Sequence, residues 1–244
     1  MDWLKNHIWP SVQPIIQETG YPDYPCAIPG GTVFFVVYHG RAFAVSARHV
    51  LFPLDPICLF PTDISQKIIP LENVFYVPEH VTDDDFADFG IIEIDMRRIN
   101  ADPELGSLRA IDLEKVEGNW LSGASESKFV VLGYPNEHSR IEIEEESIIA
   151  ARYMLKCAYH GISTFSDSVH TLKVVNHAGV SDFNGFSGSP VFACIPNEIN
   201  PKTFLFCGMA LRGSIESGYL YFLESNVIFS GILAKPAPYR VTKK

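Results

Sequence analysis

Ser187 stands between two glycines in Gly185-Phe186-Ser187-Gly188-Ser189-Pro190, directly before the apolar run Val191-Phe192-Ala193. Small neighbours let a substrate carbonyl approach a reactive hydroxyl, and glycine allows a tight turn that aims backbone N–H groups at one point. A serine hydroxyl is a weak nucleophile at neutral pH. It needs a base to take its proton and a carboxylate to orient that base. Both occur upstream in suitable settings. Phe43-Ala44-Val45-Ser46-Ala47-Arg48-His49-Val50-Leu51 is an apolar β-type run that ends in small residues and delivers His49. Asp88-Phe89-Gly90-Ile91-Ile92-Glu93-Ile94 sets Asp88 at the mouth of an apolar strand. The chemistry this predicts is acyl transfer, with Ser187 as nucleophile, His49 as general base and acid, and Asp88 fixing the imidazole.

The rival groups lack such settings. Ser189 is followed by Pro190 and a strand, so it is expected to face the structure. His7, His39, His80, His138, His160, His170 and His177 read as solvated or packed residues. Asp83, Asp84, Asp85 and Asp95 do not stand just before the apolar strand. The backbone N–H groups of Gly185 and Ser187 are the expected oxyanion donors, and loss of one such donor typically costs about 3 kcal/mol in the transition state.

These segments resemble the trypsin/chymotrypsin-like serine peptidases. Ser46-Ala47-Arg48-His49-Val50 is similar to the family's histidine motif, Asp88-Phe89-Gly90-Ile91-Ile92 to its aspartate strand, and Gly185-Phe186-Ser187-Gly188-Ser189-Pro190 to its Gly-Asp-Ser-Gly-Gly-Pro. Gly31-Thr32-Val33-Phe34-Phe35 resembles the strand before the histidine hairpin, and Val130-Val131-Leu132-Gly133-Tyr134-Pro135 the opening strand of the second barrel. The resemblance implies an all-β fold of two antiparallel six-stranded β-barrels with the reactive residues in the cleft between them. It also implies a substrate pocket floored by Ser181, with Leu211, Arg212 and Gly213 on one wall and Gly218 on another. A serine floor and two glycines imply a bulky uncharged side chain, adjacent Asp182 leaves a Lys or Arg preference open, and Arg212 favours an acidic neighbour. Phe186 departs from the family pattern. Zymogen-type relatives have an aspartate there, which pairs with a newly cut N-terminal amine. Phenylalanine cannot make that pair, so activation by that route is not expected.

The rest of the chain fits this architecture. From Thr32 onward, short apolar segments alternate with turns: 32–38, 42–46, 56–60, 73–77 and 89–95, then 128–133, 140–154, 170–175, 190–194, 203–210 and 218–223. Such punctuation predicts antiparallel barrels. His39-Gly40 is the expected turn of the first hairpin. The expected domains are a helical extension over 1–25, a first barrel over 26–116, a second over 117–234 and a tail over 235–244. The polar stretch 113–127 connects the barrels. Apolar residues from Trp3 to Ile16, interrupted by Pro10 and Pro14, predict a short broken helix. Tyr21–Gly30 reads as a linker, and 225–233 as a closing helix.

Composition narrows the function. The chain has 244 residues, is 47% hydrophobic and 12% aromatic, and carries a net charge of −10. That charge, without a dense Lys/Arg stripe, argues against nucleic acid. The acidic runs Asp83-Asp84-Asp85 and Glu142-Ile143-Glu144-Glu145-Glu146 read as solvated faces rather than a calcium site. No apolar run approaches the roughly 20 residues of a membrane span, and the first residues do not form a secretory signal. Cys26, Cys58, Cys157, Cys194 and Cys207 are odd in number and widely spaced, which suits buried thiols in a reducing, cytoplasmic setting. Disulfide-free chains of this kind resemble prokaryotic trypsin-like peptidases. The expected function is a cofactor-independent, metal-independent serine endopeptidase acting on a peptide or protein substrate, with a regulated effector protein as the candidate partner. The competing expectation is a silent peptidase-like binding or scaffold module. An α/β-hydrolase is disfavoured: Gly-x-Ser-x-Gly fails at Ser189, and that fold orders its triad serine, acid, histidine.

Overall fold

The computed structural model describes residues 4–51, 57–59, 68–76, 88–105, 108–142, 147–195 and 203–234. The Asp83–Asp85 run, most of the Glu142–Glu146 run and the tail from 235 lie outside these residues. Strands are numbered in chain order. The first half contains β1 (Val12–Pro14), β2 (Ile16–Tyr21), β3 (Tyr24–Ala27), β4 (Thr32–Tyr38), β5 (Arg41–Ser46), β6 (Ile57–Cys58), β7 (Leu71–Tyr76), β8 (Gly90–Ile94) and β9 (Ile111–Asp112). The second contains β10 (Lys128–Gly133), β11 (Ser139–Glu142), β12 (Ser147–Ala150), β13 (Tyr153–Ile162), β14 (Val169–Asn176), β15 (Pro190–Ile195), β16 (Thr203–Ser214) and β17 (Tyr219–Glu224).

The fold is all-β and chymotrypsin-like. In the second half, β10-β13-β14-β17-β16-β15 closes into a six-stranded barrel, and closure leaves no sheet edge to protect. In the first half, the described strands form a six-stranded sheet, β1-β4-β5-β8-β7 with β9 parallel to β4. A three-stranded sheet, β3-β2-β6, accompanies it. The β4–β5 hairpin turns at His39-Gly40, where both residues have positive φ (48° and 72°), as a two-residue hairpin turn with the right twist requires.

Two expectations for the N-terminal region are corrected. The helical turns cover only Leu4–Ser11, after which Val12–Pro14 pairs with β4. The Tyr21–Gly30 linker contains β3, which pairs with β2. Pro10 lies in the last helical turn and Pro14 beyond it, and the Val12-Gln13-Pro14 stretch lies along a sheet edge, where proline is tolerated. The expected 140–154 strand divides into β11, β12 and the start of β13. The closing helix is present as Ser225–Ala234.

One apolar layer joins the halves. Along β10, Phe129 and Val131 face the barrel interior, while Val130 and Leu132 join the core of the first half. Burial on both faces explains why this strand reads as a continuous apolar run rather than an alternation. Phe206 of β16 bridges in the same way, with ring centroids 5.7 Å from Phe34 and 6.0 Å from Phe229. The 113–127 connection is less polar in space than in sequence. Leu113, Val116 and Trp120 are buried, and the Trp120 indole lies against Phe129, Tyr159, His170 and Phe222 at the barrel's end.

His170 is buried in that cluster. Its Nδ1 is 2.9 Å from the Tyr159 hydroxyl, and its Nε2 is 3.6 Å from Glu224 Oε2. If the hydroxyl donates to Nδ1, the ring proton sits on Nε2. Burial pushes the imidazole down to about 4. An unfolded histidine protonates near 6.5, so between those pH values the unfolded chain holds the extra proton. Stability therefore falls on acidification, by up to roughly 1.4 kcal/mol per pH unit. Burial raises the Glu224 carboxyl, which acts in the opposite sense near the carboxylate range and offsets part of that loss. The expected outcome is a thermal midpoint that drops from pH 7 to pH 5, with a flatter slope in His170→Gln. Equal slopes in melts of the two proteins would clear His170.

Candidate active site

Strand pairing brings His49 and Asp88 together. β5 and β8 are antiparallel neighbours with Ser46 opposite Gly90, so the residues just beyond β5 meet those just before β8. Beyond Ser46 the chain turns into the short helix Arg48–Leu51, which carries His49. Arg48 N–H donates to the Asp88 carbonyl (3.3 Å), and His49 N–H donates to Asp88 Oδ1 (3.0 Å). The imidazole Nδ1 lies 2.7 Å from Oδ2 and 3.0 Å from Oδ1 of the same carboxylate. An ionised carboxylate only accepts, so Nδ1 carries the proton and Nε2 keeps its lone pair. The His49 side chain is half exposed (51%) and that of Asp88 mostly covered (20%), which leaves Nε2 room to meet a ligand.

The Ser187 turn is held by its backbone. Phe186 N–H donates to the Phe183 carbonyl (3.1 Å), Ser189 N–H to Phe186 (2.9 Å) and Gly188 N–H to Ala210 (2.8 Å). Asn136 N–H holds the Asn184 carbonyl and Thr32 N–H the Ser187 carbonyl, each at 2.9 Å. A trans peptide points its N–H away from its carbonyl. The N–H groups of Gly185 and Ser187 are thus turned away from Asn136 and Ser189, and make no hydrogen bond among the described residues. Gly185 (φ +95°) and Gly188 (φ +87°) are required here, because a Cβ would overlap the Tyr134 carbonyl at one and the Thr32 carbonyl at the other.

The Ser187 hydroxyl donates to the Leu211 carbonyl at 2.7 Å, and no hydrogen bond joins it to His49 among the described residues. The loop nonetheless packs on the strand end that delivers His49, since a Cβ on Gly188 would also strike Ser46 Oγ and Ala47 N. Ser189 is fully buried, with no hydrogen-bond partner for its hydroxyl among the described residues, so it is sealed from any substrate. Phe186 is buried in the barrel core, edge-on to Phe183 at 6.4 Å.

Residues that the sequence reading did not single out hold this arrangement. Buried Thr32 donates from Oγ1 to the Gly185 carbonyl (2.7 Å) and accepts there from Tyr134 N–H (3.0 Å). Its carbonyl accepts from Ser46 Oγ at 2.6 Å. The Tyr134 hydroxyl donates to the Val12 carbonyl (3.1 Å) and accepts from Arg152, tying β1 to the second half. A threonine at the start of an apolar strand carries no sequence signal for such a role.

The expected pocket residues fall in different settings. Ser181 is exposed and donates its N–H (2.6 Å) and its hydroxyl to the Glu137 carboxylate. Those bonds hold Glu137 below the usual carboxylate range. A charged group therefore adjoins the serine expected to form a neutral floor. Leu211 is buried beside Ser187, and Arg212 stacks over Phe165 and Tyr221. Gly213 lies against the Phe183 ring, where a Cβ would come within 3.0 Å. Gly218 sits in the β16–β17 turn at φ +70°, with open space around it. Among the described residues no group of three or more His, Cys, Asp or Glu could hold a metal ion.

No protein-family model matches the chain, and no curated protein matches it by sequence. Solved structures do. The active form of the Rv3671c protease from M. tuberculosis is 17% identical, with a TM-score of 0.49 over 96% of this chain and 84% of that one. Human heparin binding protein is 13% identical, with a TM-score of 0.58 over 96% and 95%. An atomic-resolution structure of HBP, also 13% identical, gives 0.57 over the same shares. At such identities the likeness is one of fold alone, the all-β, chymotrypsin-like architecture described above.

The buried Phe186 makes a direct prediction. Phe186→Ala should lower unfolding stability by about 3–5 kcal/mol, as expected for a large core aromatic. Phe186→Asp should cost at least as much, since it buries a charge without a partner. Denaturant titration measures both. A stable Asp variant would mean that this loop has a cation within reach.

Proposed function

We propose that this protein is a serine endopeptidase that hydrolyses peptide bonds with His49, Asp88 and Ser187. Ser187 Oγ attacks the scissile carbonyl carbon as His49 Nε2 takes its proton. The tetrahedral oxyanion accepts from the N–H groups of Gly185 and Ser187. His49 then gives the proton to the departing amine, leaving an acyl ester on Ser187. Water, deprotonated by His49, hydrolyses the ester, and the proton returns to Ser187. Asp88 holds the imidazole in the tautomer this needs and stabilises its cation.

The observation that carries the reading is the Asp88–His49 pair beside a glycine turn with two unused N–H groups. The Ser187 hydroxyl donates to the Leu211 carbonyl, and in this reading it gives up that bond for Nε2 when substrate binds. Such bonds commonly tighten only once substrate is bound. Ser181, Leu211, Arg212, Gly213 and Gly218 line the substrate side in this reading. Glu137 adds negative charge near Ser181. A narrow specificity for one protein partner fits a pocket partly filled by Phe183. Unpaired thiols at Cys26, Cys157, Cys194 and Cys207 support a reducing, cytoplasmic setting.

The Ser187–Leu211 bond also favours a second reading, a binding module that keeps the fold without turnover. One experiment separates them. The wild-type protein should be labelled covalently by a fluorophosphonate and the folded Ser187→Ala variant should not. His49→Ala should slow labelling by at least about 100-fold. Labelling of Ser187→Ala at the wild-type rate would refute the assignment, and a wild-type protein inert to the probe would favour the binding module.

A further inference from the structure

We infer that Thr32 is a positioning residue for the oxyanion turn: its hydroxyl clamps the Gly185 carbonyl to the Tyr134 backbone and so fixes the Gly185–Phe186 peptide, which lies between the two peptides that carry the Gly185 and Ser187 N–H groups. The inference rests on the reading of that turn as the oxyanion site.

Phe186 occupies the centre of the turn and brings no charge, so no ion pair sets the loop's orientation. Burial of an aromatic ring is non-directional. It keeps the segment in the barrel but does not choose which way each peptide plane faces. Directional bonds must do that, and Thr32 supplies two to the turn and anchors itself with a third. Its N–H holds the Ser187 carbonyl at 2.9 Å, and its Oγ1 donates to the Gly185 carbonyl at 2.7 Å. The same Oγ1 accepts Tyr134 N–H at 3.0 Å. The hydroxyl uses both donor and acceptor capacity, so its proton has one direction to take, toward Gly185. Asn136 N–H fixes the neighbouring Asn184 carbonyl, and with it the Gly185 N–H. Thr32 is fully buried, so water does not compete for these groups. Its own carbonyl is held by Ser46 Oγ at 2.6 Å, which ties the clamp to the strand end that delivers His49.

The test compares Thr32→Val, which keeps the shape and loses the hydroxyl, with Thr32→Ser, which keeps the hydroxyl. Thr32→Val should lower kcat by about 10- to 100-fold while KM changes by less than about threefold, because the turn serves the transition state. Thr32→Ser should recover most of that loss. A Val variant with wild-type kcat, a Ser variant as slow as Val, or a loss confined to KM would each overturn the inference. Hydrogen exchange supplies a readout independent of turnover. The Tyr134 amide and those of Phe186, Gly188 and Ser189 should exchange faster in Thr32→Val than in wild type or Thr32→Ser, and unchanged exchange there would also overturn it. A wild-type protein without Ser187-dependent turnover would sink the peptidase reading separately.

Discussion

One buried residue ties the two halves of this protein together at the site. The Thr32 backbone and side chain bond to the Ser187 loop, to the exit of β10 and, through Ser46, to the end of β5. The first half supplies an imidazole and a carboxylate, and the second supplies a hydroxyl and two N–H groups. An apolar interface between the halves is strong but tolerant of sliding. Hydrogen bonds of 2.6–3.0 Å in a dry environment are not, because each displaced group is left unsatisfied at a cost of about 1–3 kcal/mol. These bonds therefore favour one registration of the halves at the site.

The second constraint is the burial of Phe186. In zymogen-type relatives of the family this chain resembles, an aspartate at this position waits for a cation. A phenylalanine needs only a core, and the core forms with the barrel. The loop then takes its shape as part of folding, packed on Phe183 and Gly133. Orientation of the individual peptide planes passes to neutral hydrogen bonds from Thr32 and Asn136. Such bonds do not depend on a chain terminus or on ionic strength.

The region around Ser181 follows a different logic. A serine at that position reads as a neutral floor when considered alone. In three dimensions the 136–138 turn places Glu137 against it, and the local charge becomes negative. The Phe183 ring against Gly213 narrows the space that two glycines imply in sequence. The surroundings of Ser181 are thus set by side chains from segments far apart in the chain.

The sequence by itself determined the local elements and the reactive types. β-branched and aromatic runs specify strands, His39-Gly40 specifies a hairpin turn, and a serine between glycines specifies a tight turn. These signals survive in a linear reading because they depend on nearest neighbours. The helix expected before Thr32 was overstated because its apolar spacing suited a short sheet edge as well. Tertiary structure alone decided which face of β10 and β16 served which core, and that Trp120 of a polar-looking connection caps the barrel. It also decided the partners of Thr32, Ser46, Asn136 and Glu137. A hydroxyl or carboxylate has no sequence periodicity to reveal its partner. That partner is chosen only when folding removes water and the nearest remaining donor or acceptor must satisfy it.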